Sequence, residues 1–347
     1  MTPRADDPEF RTRVDHTLRS FVDSQRLILT ELGPDLDDLA DAAIAFVAGG
    51  KRLRPQFCYA GWLVAGGDAD EPRIVTAAAA LEWLQASALV HDDLMDGSDT
   101  RRGRPSVHRA FEAQHHEESR HGDPVGFGVS AAILLGDLLL SWTDELFRSS
   151  ELPRTPDALR FLDLCKTEVV AGQFLDVAGQ TRESLSVAEA MQVVRYKSAK
   201  YTVERPLHIG AALAGADVEL IAGLTEVALP LGEAFQLRDD VLGVFGDPKH
   251  TGKPAGDDLR EGKRTVLVAR AAELTDDAGR ALLRSCLGTS DGVGPVRDLI
   301  SSCGALAAVE NDIARLEDQS DAAIDRLGAR SRAILGPLAL TATRRSR

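Results

Sequence analysis

Apolar residues recur with helical periodicity along most of the chain, and this regularity constrains its fold more than any other feature. The spacing predicts long helices over about Pro72–Asp96, Pro124–Arg148, Pro156–Ala178 and Asp217–Val241. Alanine and leucine are abundant, whereas aromatic residues make up only 5% of the chain, a balance that favours packed helices over sheets. We therefore predict an all-α fold.

The domain organisation is expected to be simple. We find no internal repeat and no convincing linker, so we predict a single domain over residues 1–347, with flexible termini at about 1–8 and 342–347. A chain of 347 residues is long enough to bury a substantial apolar core.

Two polar stretches are predicted to be loops. The stretch His115–Pro124 is expected to lie on the surface, with His115, His116 and His121 in contact with solvent. The stretch Gly246–Gly262 is rich in Gly, Pro, Asp and Lys, and loops of this length are more often functional than structural.

The charge balance limits the classes of partner. Lys and Arg number 40 and Asp and Glu number 54, which gives a net charge of −14. This excess of negative charge argues against a nucleic acid as the partner. It is compatible with a phosphate ligand, because a bound divalent cation can reverse the local field.

The cysteines and the hydropathy pattern bear on location. The four cysteines are far apart and form no CxxC pair, which favours reduced thiols in a cytoplasmic protein over a zinc site or a disulfide framework. The most apolar stretch, Val129–Trp142, is interrupted by Gly136 and Asp137. We therefore expect no transmembrane segment.

The run Asp92-Asp93-Leu94-Met95-Asp96 fits the pattern DDxxD. On a helix, Asp92 and Asp96 share one face and together offer several oxygens to a hard cation such as Mg²⁺. Asp93 lies about 100° round the helix, so it is expected to support the pair rather than bind the cation directly.

The surroundings of this motif carry more information than the pattern itself. The run Asp37-Asp38-Leu39-Ala40-Asp41 fits the same pattern, yet no phosphate-binding residues follow it, so we interpret it as a solvated helix face. In contrast, Arg101, Arg102 and Arg104 follow Asp96 closely. Carboxylates to hold a metal and arginines to hold phosphate oxygens are the requirements of a diphosphate site.

A second acidic motif lies at the end of a predicted helix. Asp239 and Asp240 follow an apolar segment, and Lys253 and Lys263 come after them in a glycine-rich stretch. The glycines allow the backbone to approach a ligand closely, and the lysines can reach into the site as point charges.

Taken in order, these motifs resemble the trans-prenyltransferase family of farnesyl, geranylgeranyl and longer polyprenyl diphosphate synthases. The matching motifs, between Gly49 and Thr265, are Gly49–Pro55, Glu82–Gln85, His91–Asp93, Arg101–Gly103, Gly172–Asp176, Lys197–Ser198 and Gln236–Lys263. The resemblance implies a helical bundle around a deep central cavity, in a homodimer, with the two acidic motifs facing each other across the cavity mouth.

The resemblance also implies roles for individual residues. The isopentenyl diphosphate site would contain Lys51, Arg54, Gln85 and Arg102. The allylic diphosphate site would contain Arg101, Lys197, Ser198, Gln236, Lys253 and Lys263. Up to three magnesium ions would be bound through Asp92, Asp96 and Asp239, and the remaining catalytic residues would be Asp93, Gln173, Asp176 and Asp240.

The sequence departs from the family pattern at three of these positions. Many members carry a second complete DDxxD, whereas Gly243 stands at its fifth position here, so Asp239 must act without that carboxylate. Gln85 stands where many relatives have histidine. Ser198 replaces a common threonine and keeps the hydroxyl.

The implied reaction has three steps. The allylic C–O bond ionises, the isopentenyl double bond attacks the resulting carbocation, and a proton is lost. Cations stabilise the charge that develops on the diphosphate. No side chain stands out as the base, so the departing diphosphate is expected to take the proton.

Small side chains before the first acidic motif predict the product length. In the family, bulky aromatic residues four and five positions before the first aspartate stop chain growth at fifteen carbons. Here these positions hold Ala88 and Ser87, and Leu84 lies further down as a candidate floor. We expect geranylgeranyl diphosphate as the main product, with farnesyl or longer polyprenyl diphosphate as alternatives.

Other classes of function remain open from sequence. A class I terpene cyclase also uses DDxxD and magnesium, but it needs no second diphosphate site and would leave Lys51, Arg54 and Arg102 without a role. A non-catalytic partner subunit of a two-component synthase need not keep both acidic motifs. A purely structural helical protein explains least of the pattern.

Overall fold

The computed structural model describes residues 8–246 and 255–343, and these are almost entirely helical. The helices of the first part are α1 Pro8–Leu32, α2 Asp37–Val47, α3 Leu53–Val64, α4 Arg73–Met95, α5 Val107–Glu117, α6 Pro124–Ser149, α7 Thr155–Gln180, α8 Val187–Val193, α9 Arg205–Leu213 and α10 Val218–Phe245. The helices that follow α10 in the described residues are Asp257–Arg260, Val266–Leu274, Asp277–Cys286, Val293–Ser302, Ala305–Arg326 and Ala329–Thr343.

Four further elements of the described residues are neither α-helices nor loops. A turn of 3₁₀ helix, Pro34–Leu36, precedes α2, and a π-helical segment, Val194–Glu204, joins α8 to α9. Strand β1, Thr100–Arg101, pairs antiparallel with β2, Arg104–Pro105, so that Arg101 lies opposite Arg104. The predicted all-α class is therefore confirmed, with this small hairpin as the exception among the described residues.

Helix α4 forms the centre of the bundle. Its run of four alanines, Ala77–Ala80, is buried on every side, because small side chains allow neighbouring helices to approach all round. Helix α4 packs against α3 and, over a longer contact, against α6. This packing fixes the end of α4, where the first acidic motif lies.

The apolar interior contains two clusters, and α10 contributes to both. The larger cluster surrounds α4 and includes Trp83, Trp142 and Leu231. The smaller one involves Leu237 of α10 and the helices after it, including Ile313. Helix α10 therefore packs against both clusters, and the single domain stays a prediction. Met1–Asp7 and Arg344–Arg347, which contain most of the termini predicted to be flexible, lie outside the described residues.

The π-helical segment lies between α7 and α10, and glycines allow both helices to approach it closely. A Cβ atom on Gly172 of α7 would lie 2.4 Å from the backbone nitrogen of Lys197. A Cβ atom on Gly232 of α10 would lie 2.6 Å from Cα of Ala199. Segments with this wider winding occur mostly at functional sites.

The stretch His115–Pro124 corrects one expectation. Helix α5 continues to Glu117, so His115 belongs to a helix, and its side chain is buried rather than solvated. The His115 ring packs against Phe127, with 5.4 Å between ring centroids, and its Nε2 atom lies 3.2 Å from the carbonyl oxygen of His121. The polar composition of this stretch predicted a loop, but its first residues continue α5, where His115 packs against Phe127 of α6.

Two helices, α4 and α6, have the length and apolar composition of membrane spans. In α4, 72% of the most apolar window is buried inside the protein, and in α6 the figure is 39%. Core helices of soluble proteins meet the same criterion, so the finding is weak evidence for a span. The lower value for α6 reflects an exposed apolar face, which includes Ile133 and Leu134.

Candidate active site

A single large cavity brings together most of the predicted site. Its volume is about 1320 Å³. The predicted residues that line it are Lys51, Arg54, Leu84, Gln85, Ser87, Ala88, Asp92, Arg101, Arg102, Gln173, Asp176, Lys197, Ser198, Gln236, Asp239, Asp240 and Lys263. Asp93 and Asp96 lie directly behind this lining, and Lys253 lies outside the described residues.

Asp92, near the end of α4, accepts two hydrogen bonds from across the cavity. Gln173 Nε2 lies 3.0 Å and Lys197 Nζ lies 3.1 Å from its Oδ1 atom. Lys197 also donates to Asp176 Oδ2 at 2.6 Å. Burial alone would raise the pKa of Asp92, but Lys197, Lys263 and Arg101 lower it to about 2. Asp92 is therefore ionised at neutral pH.

Asp93 holds Arg101 at the cavity wall. Arg101 Nε donates to Asp93 Oδ1 at 2.8 Å, and the Arg101 Nη2 atom lies 3.6 Å from Asp92 Oδ2. Burial lowers the pKa of Arg101, but Asp93 and Asp92 more than compensate, so its pKa is raised. That Asp93 supports the aspartate pair rather than binding the cation directly stays a prediction, and its contact with Arg101 supports it.

Asp96 pairs with a lysine from the loop after the second acidic motif. Lys263 Nζ lies 2.9 Å from Asp96 Oδ2 and 2.8 Å from Glu261 Oε2. Burial raises the pKa of Asp96, and Lys263 only partly opposes this effect. Lys263 thus joins Asp96 to the loop that follows the second acidic motif.

In the second acidic motif, the surroundings of Asp240 disfavour its ionised form. Gln236 Nε2 donates to Asp240 Oδ1 at 2.7 Å. Burial, followed by the nearby carboxylate of Asp258, raises the pKa of Asp240 well above its ordinary value. Asp239 lines the cavity beside it. A bound cation would relieve this repulsion.

Asp258 lies against the position where the second motif lacks its last carboxylate. A Cβ atom on Gly243 would lie 2.3 Å from Asp258 Oδ2. The backbone nitrogen of Gly256 donates to the carbonyl oxygen of Gly243 at 2.8 Å, which holds this loop on α10. An acidic side chain is therefore present at this place, although it comes from another segment.

A basic group occupies another part of the cavity. Arg54 Nη2 donates to Thr202 Oγ1 at 2.7 Å, and its guanidinium carbon lies 4.1 Å from the centre of the Tyr201 ring. Arg102 adopts a left-handed backbone conformation, with φ of 53°, and Lys51 lines the cavity nearby. Arg54 is thus held by Thr202 and Tyr201, and this basic group suits a second anionic ligand.

Arg52 differs from its neighbours in this basic segment. It donates to Glu82 Oε2 at 2.6 Å and to Asp15 Oδ1 at 2.7 Å. Its side chain is buried, so these two carboxylates neutralise a charge that would otherwise be costly. Arg52 therefore connects α1, α3 and α4 and is not a candidate for holding substrate.

The acidic motifs fit a hard divalent cation by their chemistry. Carboxylate oxygens from Asp92, Asp96 and Asp239 are ligands that Mg²⁺ prefers. Within residues 8–246 and 255–343, no three acidic, histidine or cysteine side chains converge tightly enough to hold a metal alone. Mg²⁺ typically binds through one or two carboxylates together with waters and phosphate oxygens, which agrees with this arrangement.

The other run that fits the DDxxD pattern, Asp37–Asp41, lies in α2. Asp41 pairs with Arg26, and Asp37 accepts a hydrogen bond from Thr30 at 2.7 Å. None of these aspartates lines the cavity. The interpretation of this copy as a surface feature of α2 agrees with the structure.

An all-helical fold, with a cavity that combines carboxylates and basic side chains, is typical of enzymes that act on diphosphates. The profile of the polyprenyl synthetase family matches residues 37–302. The chain therefore belongs to the polyprenyl synthetase family, and it is a trans-prenyl diphosphate synthase. The predictions of family and enzyme class are confirmed.

Individual relatives agree with this assignment. The geranylgeranyl diphosphate synthase of Saccharolobus solfataricus is 33% identical over 82% of this chain and 78% of its own. The geranylfarnesyl diphosphate synthase of Aeropyrum pernix is 34% identical over 79% of this chain and 83% of its own. A crystal structure of a geranylgeranyl pyrophosphate synthase from Corynebacterium glutamicum, complexed with isoprenyl diphosphate and magnesium, has a TM-score of 0.93 and 40% identity, covering 97% of this chain and 99% of that one.

Three residues at the site were missed from sequence. Tyr201 and Thr202 contact Arg54, and Asp258 contacts Gly243. Tyr201 lies four residues after Lys197, so helical spacing alone places it near the same face. Asp258 carries a weaker signal, because only its position in a glycine-rich acidic loop distinguishes it.

Proposed function

We propose that the enzyme adds isopentenyl diphosphate to an allylic diphosphate, with geranylgeranyl diphosphate as its main product. The observation that carries this proposal is the presence of two groups of anion-binding side chains in one cavity. Lys197, Lys263 and Arg101 accompany the acidic motifs, whereas Lys51 and Arg54 belong to the separate basic group. A condensation of two diphosphate substrates needs both groups of side chains.

The residues near Asp92 would bind and orient the allylic diphosphate. Lys197, Arg101 and Lys263 would donate hydrogen bonds to it, and as protonated cations they cannot quench a carbocation as bases. Asp92, Asp96 and Asp239 would hold magnesium, which when bound supplies electrostatic stabilisation of the leaving diphosphate. The number of ions, up to three, is part of this proposal.

The remaining residues would control the reacting carbons. Arg54, Lys51, Gln85 and Arg102 would hold the isopentenyl diphosphate so that its double bond faces the allylic carbon. After ionisation and attack, the departing diphosphate would accept the proton. Apolar side chains deeper in the cavity, such as Leu140 and Val169, would exclude water from the cation.

Product length depends on the part of the cavity below Asp92. Ala88 and Ser87 line it, and their small side chains leave the passage open one turn beneath the aspartate. Leu84 lines the cavity further along α4 and is a candidate floor. These positions favour twenty carbons over fifteen.

The product can be measured directly. Purified enzyme is incubated with Mg²⁺, isopentenyl diphosphate and, separately, dimethylallyl, geranyl or farnesyl diphosphate, and the dephosphorylated products are sized by mass spectrometry. We expect twenty carbons from every accepted primer. A main product of fifteen carbons, or of more than twenty, would replace this assignment by the farnesyl or long-chain alternative.

A terpene cyclase is the main competing function. It would leave the basic group of Lys51, Arg54 and Arg102 unused, and it would consume an allylic diphosphate without isopentenyl diphosphate. A cyclic hydrocarbon released from geranylgeranyl diphosphate alone would support that alternative. A chain inactive with every primer would instead fit a non-catalytic partner subunit.

We further propose that the enzyme is a cytoplasmic homodimer. Helices α6 and α7 expose large apolar side chains, among them Leu134, Val170 and Phe174, which is 72% exposed. A second copy of the chain would cover them. Light scattering should give twice the mass of 37.2 kDa, and Phe174→Asp should shift the measured mass toward that of one chain.

The cysteines support the proposed cytoplasmic location. All four are free thiols in the structure, and free thiols are typical of a reducing compartment.

A further inference from the structure

Tyr201 contacts both Gln85 and Arg54, a member of the basic group. Its hydroxyl donates to Gln85 Oε1 at 2.6 Å, and its ring lies beneath the guanidinium of Arg54, with 4.1 Å between the ring centre and the guanidinium carbon. Tyr201 is buried, with 4% of its surface exposed. Tyr201 and both of these neighbours line the cavity.

The hydroxyl determines how Gln85 presents its amide. A glutamine amide has a donating end and an accepting end, and the two are nearly equal in shape. Because the Tyr201 hydroxyl occupies Oε1, the Nε2 end remains to face a ligand. Without that hydroxyl the amide can rotate and present its oxygen, which repels a diphosphate.

The ring restricts Arg54 in a different way. The guanidinium lies over the aromatic face of Tyr201, and Thr202 Oγ1 holds one end of it, at 2.7 Å from Nη2. Two neighbouring residues of the π-helical segment thus hold Arg54 at two points. This leaves less conformational freedom to lose when an anion binds.

We propose that Tyr201 is a positioning residue for isopentenyl diphosphate, acting on Gln85 through its hydroxyl and on Arg54 through its ring. The proposal rests on the proposed function, which places isopentenyl diphosphate at these two residues. In this role Tyr201 acts through the two neighbours that it contacts.

The test compares Tyr201→Phe, Gln85→Ala and the double variant. The dissociation constant of isopentenyl diphosphate is measured by calorimetry, and the KM of each substrate by steady-state kinetics. Tyr201→Phe should weaken isopentenyl diphosphate binding about fivefold to tenfold, the loss of one hydrogen bond, and leave the KM for the allylic substrate unchanged. In the Gln85→Ala background the same change should have no further effect, because the amide that it orients is gone.

Tyr59→Phe is the matched control. The Tyr59 hydroxyl also donates a hydrogen bond, at 3.1 Å to the carbonyl oxygen of Ala69, but the residue does not line the cavity. This variant should bind isopentenyl diphosphate as the unaltered enzyme does.

Three outcomes would overturn this proposal or the proposed function on which it rests. If Arg54→Ala and Gln85→Ala weaken isopentenyl diphosphate binding but Tyr201→Phe does not, Tyr201 is only a packing residue, whatever happens to the melting temperature. If Tyr201→Phe weakens binding equally in the Gln85→Ala background, Tyr201 does not act through Gln85, and the proposal is overturned. If neither Arg54→Ala nor Gln85→Ala affects that binding, the assignment of the isopentenyl site itself fails.

Discussion

Lys263 Nζ lies 2.9 Å from Oδ2 of Asp96. Asp96 follows α4, whereas Lys263 comes from the loop after the second acidic motif, so this ion pair ties that loop to the end of α4. Burial alone would lower the pKa of Lys263, but the carboxylates of Asp258 and Asp96 raise it well above its ordinary value. Asp258 also raises the pKa of Asp240, so its charge acts both on Lys263 and on the second motif.

The first prediction concerns the first acidic motif. Asp92→Ala or Asp96→Ala should lower kcat by about a hundredfold or more, because each removes a carboxylate that would hold the charge-stabilising cation. Circular dichroism should remain helical. Asp37→Ala removes an aspartate from the DDxxD copy on α2 and serves as the control. A comparable loss of activity in that control would show that the wrong motif has been chosen.

The second prediction separates the two diphosphate sites. Lys51→Ala should mainly raise the KM for isopentenyl diphosphate, and Lys197→Ala should mainly impair use of the allylic substrate. Each removes one charge-assisted hydrogen bond, worth about 1.5–3 kcal/mol, or about tenfold to a hundredfold in the affected constant. Steady-state kinetics with each substrate varied in turn provides the measurement. Equal effects of both variants on both substrates would argue against two distinct sites.

The third prediction concerns product length. Ala88→Phe should shorten the product toward fifteen carbons, because an aromatic ring would fill the passage beneath Asp92. Leu84→Ala should lengthen it if Leu84 forms the floor. Products are sized by mass spectrometry. An active Ala88→Phe enzyme with unchanged products would mean that the growing chain does not pass beside α4.

The fourth prediction uses the raised pKa of Asp240. Because the folded-state pKa lies above that of the unfolded chain, the folded protein binds the extra proton between the two values, so stability falls as pH rises through that window. In EDTA, Asp240→Asn should abolish this part of the fall and raise the melting temperature more at about pH 8 than at about pH 5.

An exposed aspartate provides the control for that experiment. The Asp157 side chain is 62% exposed and pairs only with Arg154 in the described residues. Asp157→Asn should leave the pH dependence of the melting temperature unchanged. If Asp240→Asn behaves in the same way, Asp240 is not a source of repulsion in the metal-free protein.

The helices and the composition of the cavity were largely predictable from the sequence. The predicted helix Pro124–Arg148 is observed as Pro124–Ser149, because apolar periodicity and a proline at the first turn define it locally. His115 was misplaced because its burial depends on Phe127, in a different helix. The contacts of Tyr201 with Gln85, and of Asp258 with Gly243, could not be predicted from the sequence either, because each joins segments that only the folded chain brings together.

The stoichiometry of diphosphate release tests directly whether the enzyme condenses isopentenyl diphosphate with an allylic diphosphate. Purified enzyme is supplied with farnesyl or geranyl diphosphate, isopentenyl diphosphate and Mg²⁺, and the diphosphate released is measured against the isopentenyl diphosphate consumed. We predict that one diphosphate is released for each isopentenyl unit added, and that none is released when either isopentenyl diphosphate or Mg²⁺ is left out. Release of diphosphate from the allylic substrate alone, at the rate of the complete mixture, would contradict it.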